Sequence, residues 1–150
     1  MAKTSRAAAP AAVAPIQRAA QVLGVFFLLI GILGFIPGIT SNYDTMSFAG
    51  HNSDAKLLGL FQVSVLHNIV HLAFGVAGLA LSRTVSGART FLVGGGAIYL
   101  VIWLYGLVVD HNSGANFVPF NGADNWLHFL LGVGMIALGL ALTRRPAGRR

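Results

Sequence analysis

Residues 66–78 read LHNIVHLAFGVAG and place two histidines and one asparagine inside an otherwise apolar run. The same pattern, Asn-x-x-His with a glycine four residues after the histidine, spans Asn68 to Gly75 and returns from Asn125 to Gly132. Polar side chains are costly in a membrane unless they face other protein groups. The two segments therefore predict a pair of related helices whose polar faces meet inside a helical bundle.

The composition places the chain in a lipid bilayer. Of its 150 residues, 55% are hydrophobic and only 9% are charged, which is too little polar surface for a soluble protein of this size. Four apolar runs, at residues 19–36, 57–81, 90–109 and 125–142, are close to or above the length of about 20 residues that a helix needs to cross the hydrocarbon core. We predict an all-α, integral membrane four-helix bundle over residues 16–143, built from two tandem helix hairpins.

The distribution of charge predicts the topology. The net charge is +6, and every basic residue except Lys56 lies before the first run, between the second and third runs, or after the fourth. The acidic residues lie in or next to the other two loops. Because basic segments stay in the cytoplasm, we predict a multi-pass protein of the cytoplasmic membrane with both termini inside.

The two ends of the chain are predicted to be cytoplasmic tails. Residues 1–15 are rich in Ala and Pro and lack a core-forming pattern, which indicates a disordered tail. Residues 144–150 form a second, basic tail. Since the basic residues follow the membrane topology and do not cluster on a soluble face, they indicate the lipid bilayer as a partner and no nucleic acid.

Helical geometry collects the polar groups on one face of each returning helix. With about 3.6 residues per turn, one stripe of the second run contains Ser64, His67, Asn68, His71, Gly75 and Gly78. The corresponding stripe of the fourth run contains Asp124, Asn125, His128, Gly132, Met135 and Gly139. We expect the two stripes to face each other, with glycines allowing a close approach and polar groups meeting in the outer half of the membrane.

The spacing within the stripes suggests a metal site. Side chains at i and i+4 project from the same face of a helix, as two ligands of one ion must. The candidate ligands of a divalent metal are His67, His71, Asp124 and His128. The groups expected to support them, as hydrogen-bond partners or as helix contacts, are Asn68, Asn125, Gly75 and Gly132.

Two other hypotheses use the same residues. One histidine from each of two facing helices, here His71 and His128, is the arrangement that a bis-histidine b-type haem requires. Alternatively, the polar groups hydrogen-bond between helices in a ligand-free scaffold, a homo-oligomer or an accessory subunit of a membrane complex. The chain has no cysteine, and no nucleophile stands beside a base in the sequence, so the pattern does not favour an enzyme.

The loops and the third run add two expectations. The pattern H-N-S-x-A begins at His51 and again at His111, ahead of each Asn-x-x-His helix, which indicates an internal duplication. Tyr99, Trp103 and Tyr105 lie toward the outer end of the third run. Aromatic residues at such positions are expected at the membrane interface.

The run N-x-x-H-L-x-x-G-x-x-G-L at residues 68–79, with its echo at Asn125, His128 and Gly132, resembles a known family. It is a family of small integral membrane proteins from actinobacteria, catalogued as a domain of unknown function. The resemblance covers residues 16–142 and implies a four-helix membrane domain. It implies no activity that would assign a role to the histidines.

Overall fold

The computed structural model describes residues 12–119 and 121–143 and contains four helices in this part of the chain. They are α1 (Pro15–Leu33), α2 (Val65–Leu81), α3 (Val85–Val108) and α4 (Gly122–Ala141). By length and composition, α1, α3 and α4 can each cross a membrane, and the apolar helix α2 is shorter, at 17 residues. The predicted all-α membrane bundle is confirmed. The predicted tails at residues 1–11 and 144–150 lie outside the described residues.

The helix bounds differ from the predicted runs, most of all for α2. Local signals set its start: the hydroxyl of Ser64 accepts a hydrogen bond from the backbone N–H of His67 at 3.1 Å, which caps the first turn. The predicted start at residue 57 is therefore too early. Helix α1 begins at Pro15, because proline is well suited to the first turn of a helix. It ends at Leu33.

Residues 57–62, assigned to a helix from their hydropathy, belong instead to a small antiparallel sheet and its turn. Its three strands are β1 (Thr40–Ser41), β2 (Lys56–Leu57) and β3 (Phe61–Gln62), in the order β1-β2-β3. The sheet lies in the loop between α1 and α2, at the end of the bundle opposite the start of α1 and the end of α4. We call this the loop end; it also contains residues 109–119 and 121.

Within the bundle, α1 packs mainly against α2, and α3 packs mainly against α4. The expectation that the glycines of α2 and α4 face each other is wrong. A Cβ added at Gly75 would lie 2.8 Å from the carbonyl oxygen of Gly24 in α1, and one added at Gly132 would lie 3.0 Å from that of Gly96 in α3. Each glycine stripe therefore allows close packing within its own hairpin.

The two hairpins make matching contacts. A Cβ at Gly24 would meet the backbone nitrogen of Leu79, and a Cβ at Gly96 would meet that of Ile136. Leu28 covers Gly75 in the first hairpin, as Leu100 covers Gly132 in the second. These pairs define which residues of α1 correspond to residues of α3, and which residues of α2 correspond to residues of α4.

Aromatic rings join the hairpins at the centre of the bundle. The ring of Phe27 stacks on the ring of Tyr99 with centroids 5.4 Å apart, and these two residues occupy corresponding positions of α1 and α3. Tyr99 is only 3% exposed, so the prediction that it lies at the membrane interface is wrong. It follows Ala88, Leu92 and Gly95 at helical spacing on the buried face of α3.

The predicted polar stripes are confirmed as the buried faces of their helices. In α2 the buried residues are His67, Asn68, His71, Gly75 and Gly78. In α4 they are Asp124, Asn125, His128, Gly132, Met135 and Gly139. Helical periodicity thus identified which face of each helix is inside, although not which helix lies against it.

Candidate ligand-binding site

The centre of the site is a pair of histidines on α2. Because His67 and His71 are one helical turn apart, their rings lie side by side, with centroids 4.8 Å apart. Their Nε2 atoms are 2.9 Å apart. Both side chains are buried, at 5% and 6% exposure, so the proton that joins them is shielded from bulk water.

The hydrogen bonds of the pair determine which nitrogens carry protons. The Nδ1 of His67 lies 3.0 Å from the carbonyl oxygen of Pro119, and since a carbonyl oxygen only accepts, Nδ1 is the donor. A neutral His67 then has a bare Nε2, which must accept from the Nε2–H of His71. This leaves a bare Nδ1 on His71, and that buried atom has no hydrogen-bond partner among the described residues.

On the opposite helix, His128 approaches the pair from α4. Its ring centroid is 6.5 Å from that of His67 and 5.4 Å from that of Tyr99. The ring of His71 has a related neighbour, since it lies 5.8 Å from Phe27, the residue of α1 that corresponds to Tyr99. His71 and His128 therefore flank the stacked rings on the bundle axis.

The side chain of Asp124, the fourth predicted metal ligand, accepts hydrogen bonds from backbone N–H groups. Its Oδ2 accepts a hydrogen bond from the N–H of Gln62 in β3 and another from the N–H of Asn121, both at 2.9 Å. The side chain of Asn121 in turn accepts from the N–H of Asp124 at 3.1 Å. Asp124 therefore caps α4 and ties the small sheet to it, and the helix N-terminus favours its negative charge.

The hairpins hold each other through two related hydrogen bonds. His67 of α2 donates to the backbone of Pro119, in the loop before α4, and Asp124 of α4 accepts from the backbone of Gln62, in the strand before α2. His67 corresponds to Asp124, and Gln62 corresponds to Pro119. Corresponding positions of the two hairpins thus make reciprocal contacts, through the imidazole of His67 in one hairpin and the carboxyl group of Asp124 in the other.

A cavity of about 170 Å³ adjoins the three histidines. We call it the large cavity; its walls include His67, His71, His128, Tyr99, Tyr105 and Phe117, and three branched aliphatic side chains complete the lining. It lies between α2, α3 and α4 and is also lined by Phe117 and Val118 of the loop before α4. Its surface is mostly apolar, as in typical small-molecule sites.

A second cavity occupies the corresponding position on the other side of the axis, between α1, α2 and α4, and measures only about 20 Å³. It also touches His67, His71 and His128, but Leu57, Phe61 and Val63 of the first loop fill most of the space. We call it the small cavity. Its volume is roughly that of one water position, for which about 10 to 15 Å³ is required.

The geometry limits the cofactor hypotheses. Within residues 12–119 and 121–143, no group of three His, Asp or Glu side chains is arranged so that it could hold a metal ion. The large cavity is close in volume to a protein cavity of about 150 Å³ that binds benzene. A haem macrocycle with its four pyrrole rings exceeds that volume, so the cavity in this form does not accept a haem between His71 and His128.

The supporting residues are all buried but serve different contacts. The amide of Asn68 packs against Gly34, the residue after α1, and its Nδ2 points to the sulfur of Met46 at 3.9 Å. The Oδ1 atoms of Asn68 and Asn125 are both buried without a hydrogen-bond partner among the described residues. Gly75 and Gly132 are contacts within their hairpins, as described above.

Several residues of the site were missed by the sequence analysis. Tyr99 could have been found from its spacing to Gly95 and Ala88 on one face of α3. Pro119 and Gln62 act through backbone atoms, for which side-chain patterns give no signal. Phe117 lies in an irregular loop, where neither a helical nor a strand period predicts which side chains line a cavity.

Comparison with known proteins assigns a family. A family model described as a domain of unknown function, DUF4383, matches residues 17–141, and the chain belongs to this family. No curated protein and no solved structure matches the sequence significantly. The match supports the family resemblance predicted from the sequence and leaves the chemistry of the site to be argued from its geometry.

Proposed function

We propose that this DUF4383 member is a membrane-embedded binding protein that holds a small, ring-shaped molecule in the large cavity. The observation that carries the proposal is the bare Nδ1 of His71. This buried acceptor has no partner within residues 12–119 and 121–143, and His71 lines a cavity of about 170 Å³. A buried acceptor left unsatisfied costs about 1 to 3 kcal/mol. A ligand that brings a hydroxyl donor removes this cost, and rings in the cavity wall provide apolar contacts.

The volume and lining define the ligand class. An aromatic ring with one or two hydroxyl groups matches the cavity in size and supplies the donor that His71 lacks. Tyr99, Tyr105 and Phe117 offer faces or edges on which an aromatic ring packs favourably. A hydroxylated aromatic compound therefore satisfies both the polar and the apolar parts of the cavity.

A binding measurement with hydroquinone tests the proposal. We expect saturable binding to the detergent-purified protein, with benzene binding more weakly because it cannot donate. His71→Phe should weaken hydroquinone binding about 5-fold or more, the equivalent of one lost hydrogen bond. His51→Phe is the matched control, because the Nδ1 of His51 is also buried and has no partner in the part of the chain that the structure describes, but His51 does not line the large cavity. Equal affinities of the wild type and His71→Phe would contradict the proposal.

A divalent metal is the second candidate, and one observation favours it. The Nε2 atoms of His67 and His71 converge, and the Nδ1–H of His67 donates to a backbone carbonyl, the arrangement that usually orients a metal-binding histidine. His128 and Asp124 were predicted as further ligands, but Asp124 would have to release two backbone N–H groups. A metal also requires His71 to carry its proton on Nδ1, so ¹⁵N NMR of the His71 tautomer, with elemental analysis, separates the two candidates.

We infer that the loop end faces outward and that both termini lie in the cytoplasm of the cell. The positions of the basic residues support this orientation. Because the chain has no cysteine, Asn52→Cys in the first loop and Ser86→Cys at the start of α3 provide clean reporters. An impermeant maleimide should label Asn52→Cys in intact cells and Ser86→Cys only after permeabilisation; the reverse pattern would invert the topology.

We also propose that the two hairpins arose by duplication of one unit. The matching glycine contacts, the stacked Phe27 and Tyr99, and the reciprocal bonds of His67 and Asp124 support a common origin. The two cavities then represent two copies of one ancestral site, of which only the large one has room for a ligand. If neither hydroquinone nor a metal binds, the polar groups serve a ligand-free scaffold or accessory subunit.

A further inference from the structure

A groove of about 470 Å³ runs along the outside of the bundle between α2 and α3. Its walls include Val70, Ala73 and Ala77 of α2 and Gly94, Gly95 and Ile98 of α3. These two helices pack against each other much less than each packs within its own hairpin. Small side chains on both walls account for the space.

The groove and the large cavity adjoin each other. Val70 lines both, and on α3 the wall of the groove at Ile98 is followed one turn later by Ile102, which lines the cavity. From Thr90 to Ile98 the groove extends about 12 Å along α3. It therefore runs from the histidines toward the end of the bundle where α2 ends and α3 begins, parallel to the direction of lipid chains.

The corresponding face on the other side of the bundle has larger side chains. Ala73 of α2 corresponds to Leu130 of α4, and Gly94 of α3 corresponds to Val22 of α1. Leu130 and Val22 are exposed, so the larger groups project from that face. At these two positions the smaller side chains lie on the side of the bundle that also has the large cavity.

Resting on the proposed function, we infer that the ligand is a lipid with a hydroxylated aromatic ring as its head and a hydrocarbon chain as its tail. The ring occupies the large cavity and donates to the Nδ1 of His71, and the tail lies in the α2–α3 groove. Val70 marks the point where head and tail join. The groove offers no charged group, which fits an alkyl or prenyl tail and excludes a polar one.

The tail does not gain hydrophobic energy by leaving lipid, because lipid chains are as apolar as the groove. Its contribution is the packing of methylene groups into a fixed channel and the positioning of the ring. For this reason the tail should change affinity by a moderate factor, and small changes in groove volume should remove that factor. Filling the groove is therefore a sharper test than removing the histidine.

The test compares decylhydroquinone with hydroquinone on the full-length protein in lipid nanodiscs. We expect decylhydroquinone to bind at least about 10-fold more tightly, at equal concentration within the membrane. The groove is filled by Gly94→Leu, since a Cβ at Gly94 would meet no atom within 4 Å. Gly134→Leu is the matched control: it lies on α4, outside the groove, and its Cβ is equally unobstructed.

The outcomes separate the two proposals. Loss of the tail's advantage in Gly94→Leu, with hydroquinone binding unchanged and Gly134→Leu like wild type, supports the inference. Two results would overturn the inference while the proposed function stands. In one, hydroquinone binds and decylhydroquinone binds no more tightly; in the other, Gly94→Leu still binds decylhydroquinone more tightly than hydroquinone. If neither compound binds, both fail. If Gly94→Leu dissociates a dimer, a second copy of the chain occupies the groove and the inference is wrong.

Discussion

The large and small cavities occupy corresponding positions on the two sides of the bundle axis, yet one measures about 170 Å³ and the other about 20 Å³. His71 and His128 touch both. The difference comes from the loops: Phe61 of the first loop fills the small cavity, whereas Val118, at the corresponding position of the second loop, leaves the large one open. Packing between helices is alike in the two halves, and the space left beside the histidines is not.

The largest effects are expected where the two halves agree. Gly24→Leu and Gly96→Leu should each destabilise the protein by about 3 kcal/mol or more, because overpacking a tight contact forces the backbones apart. A Cβ at Gly24 would lie 3.0 Å from the backbone nitrogen of Leu79, and one at Gly96 would lie 2.8 Å from the carbonyl oxygen of Gly132. Unfolding titrations in detergent measure the loss.

Gly94→Leu is the control for this pair, since its side chain meets open space, and it should unfold like wild type. Similar losses for Gly24→Leu and Gly96→Leu would support equivalent packing of the hairpins. A strong loss of stability in one variant and none in the other would show that the two hairpins are not packed equivalently.

The reciprocal hydrogen bonds should have smaller and unequal effects. Asp124→Leu leaves two backbone N–H groups, those of Gln62 and Asn121, without their acceptor and should cost about 2 kcal/mol or more. His67→Leu leaves the carbonyl oxygen of Pro119 and the Nε2–H of His71 without their partners. Both of these hydrogen bonds join neutral groups, so the cost should be smaller. Asp124→Asn is the control, because it keeps one acceptor oxygen; if it is as destabilising as Asp124→Leu, the negative charge matters more than the bonds.

Exchanging the residues that distinguish the cavities should exchange their properties. Phe61→Val enlarges the small cavity and should cost about 1 to 2 kcal/mol, less than the 3 to 5 kcal/mol of a Phe→Ala change. Val118→Phe fills the large cavity and should abolish hydroquinone binding with little change in stability. Titration of hydroquinone into both variants checks this, and unchanged binding to Val118→Phe would place the ligand elsewhere.

The smallest effect on stability is expected at the residue most important for binding. His71→Phe removes the Nε2–H that His67 accepts, but it also removes a buried acceptor without a partner, so the free energy of unfolding should change by less than about 1 kcal/mol. A large loss of stability would indicate that the Nδ1 of His71 is already satisfied within the protein. In that case the scaffold interpretation would gain support.

The helices and their inner faces could be read from local patterns. Apolar runs identified four helices, and the period of 3.6 residues identified the buried stripes of α2 and α4 residue by residue. The start of α2 was missed, because apolar residues before Ser64 fit a short strand as well as a helix. Tyr99 was placed at the interface because its residue type was given more weight than its spacing.

Patterns in the sequence alone predicted a helical bundle in a membrane and placed Asn68, His71, Asn125 and His128 toward its interior. These properties depend on local periodicity and composition, which act over one or two helical turns. Only the tertiary structure decided that α2 packs on α1 and α4 on α3, that His67 pairs with His71, and that one cavity is open. A cavity is the volume that side chains from several distant segments leave unfilled, and no local pattern encodes that sum.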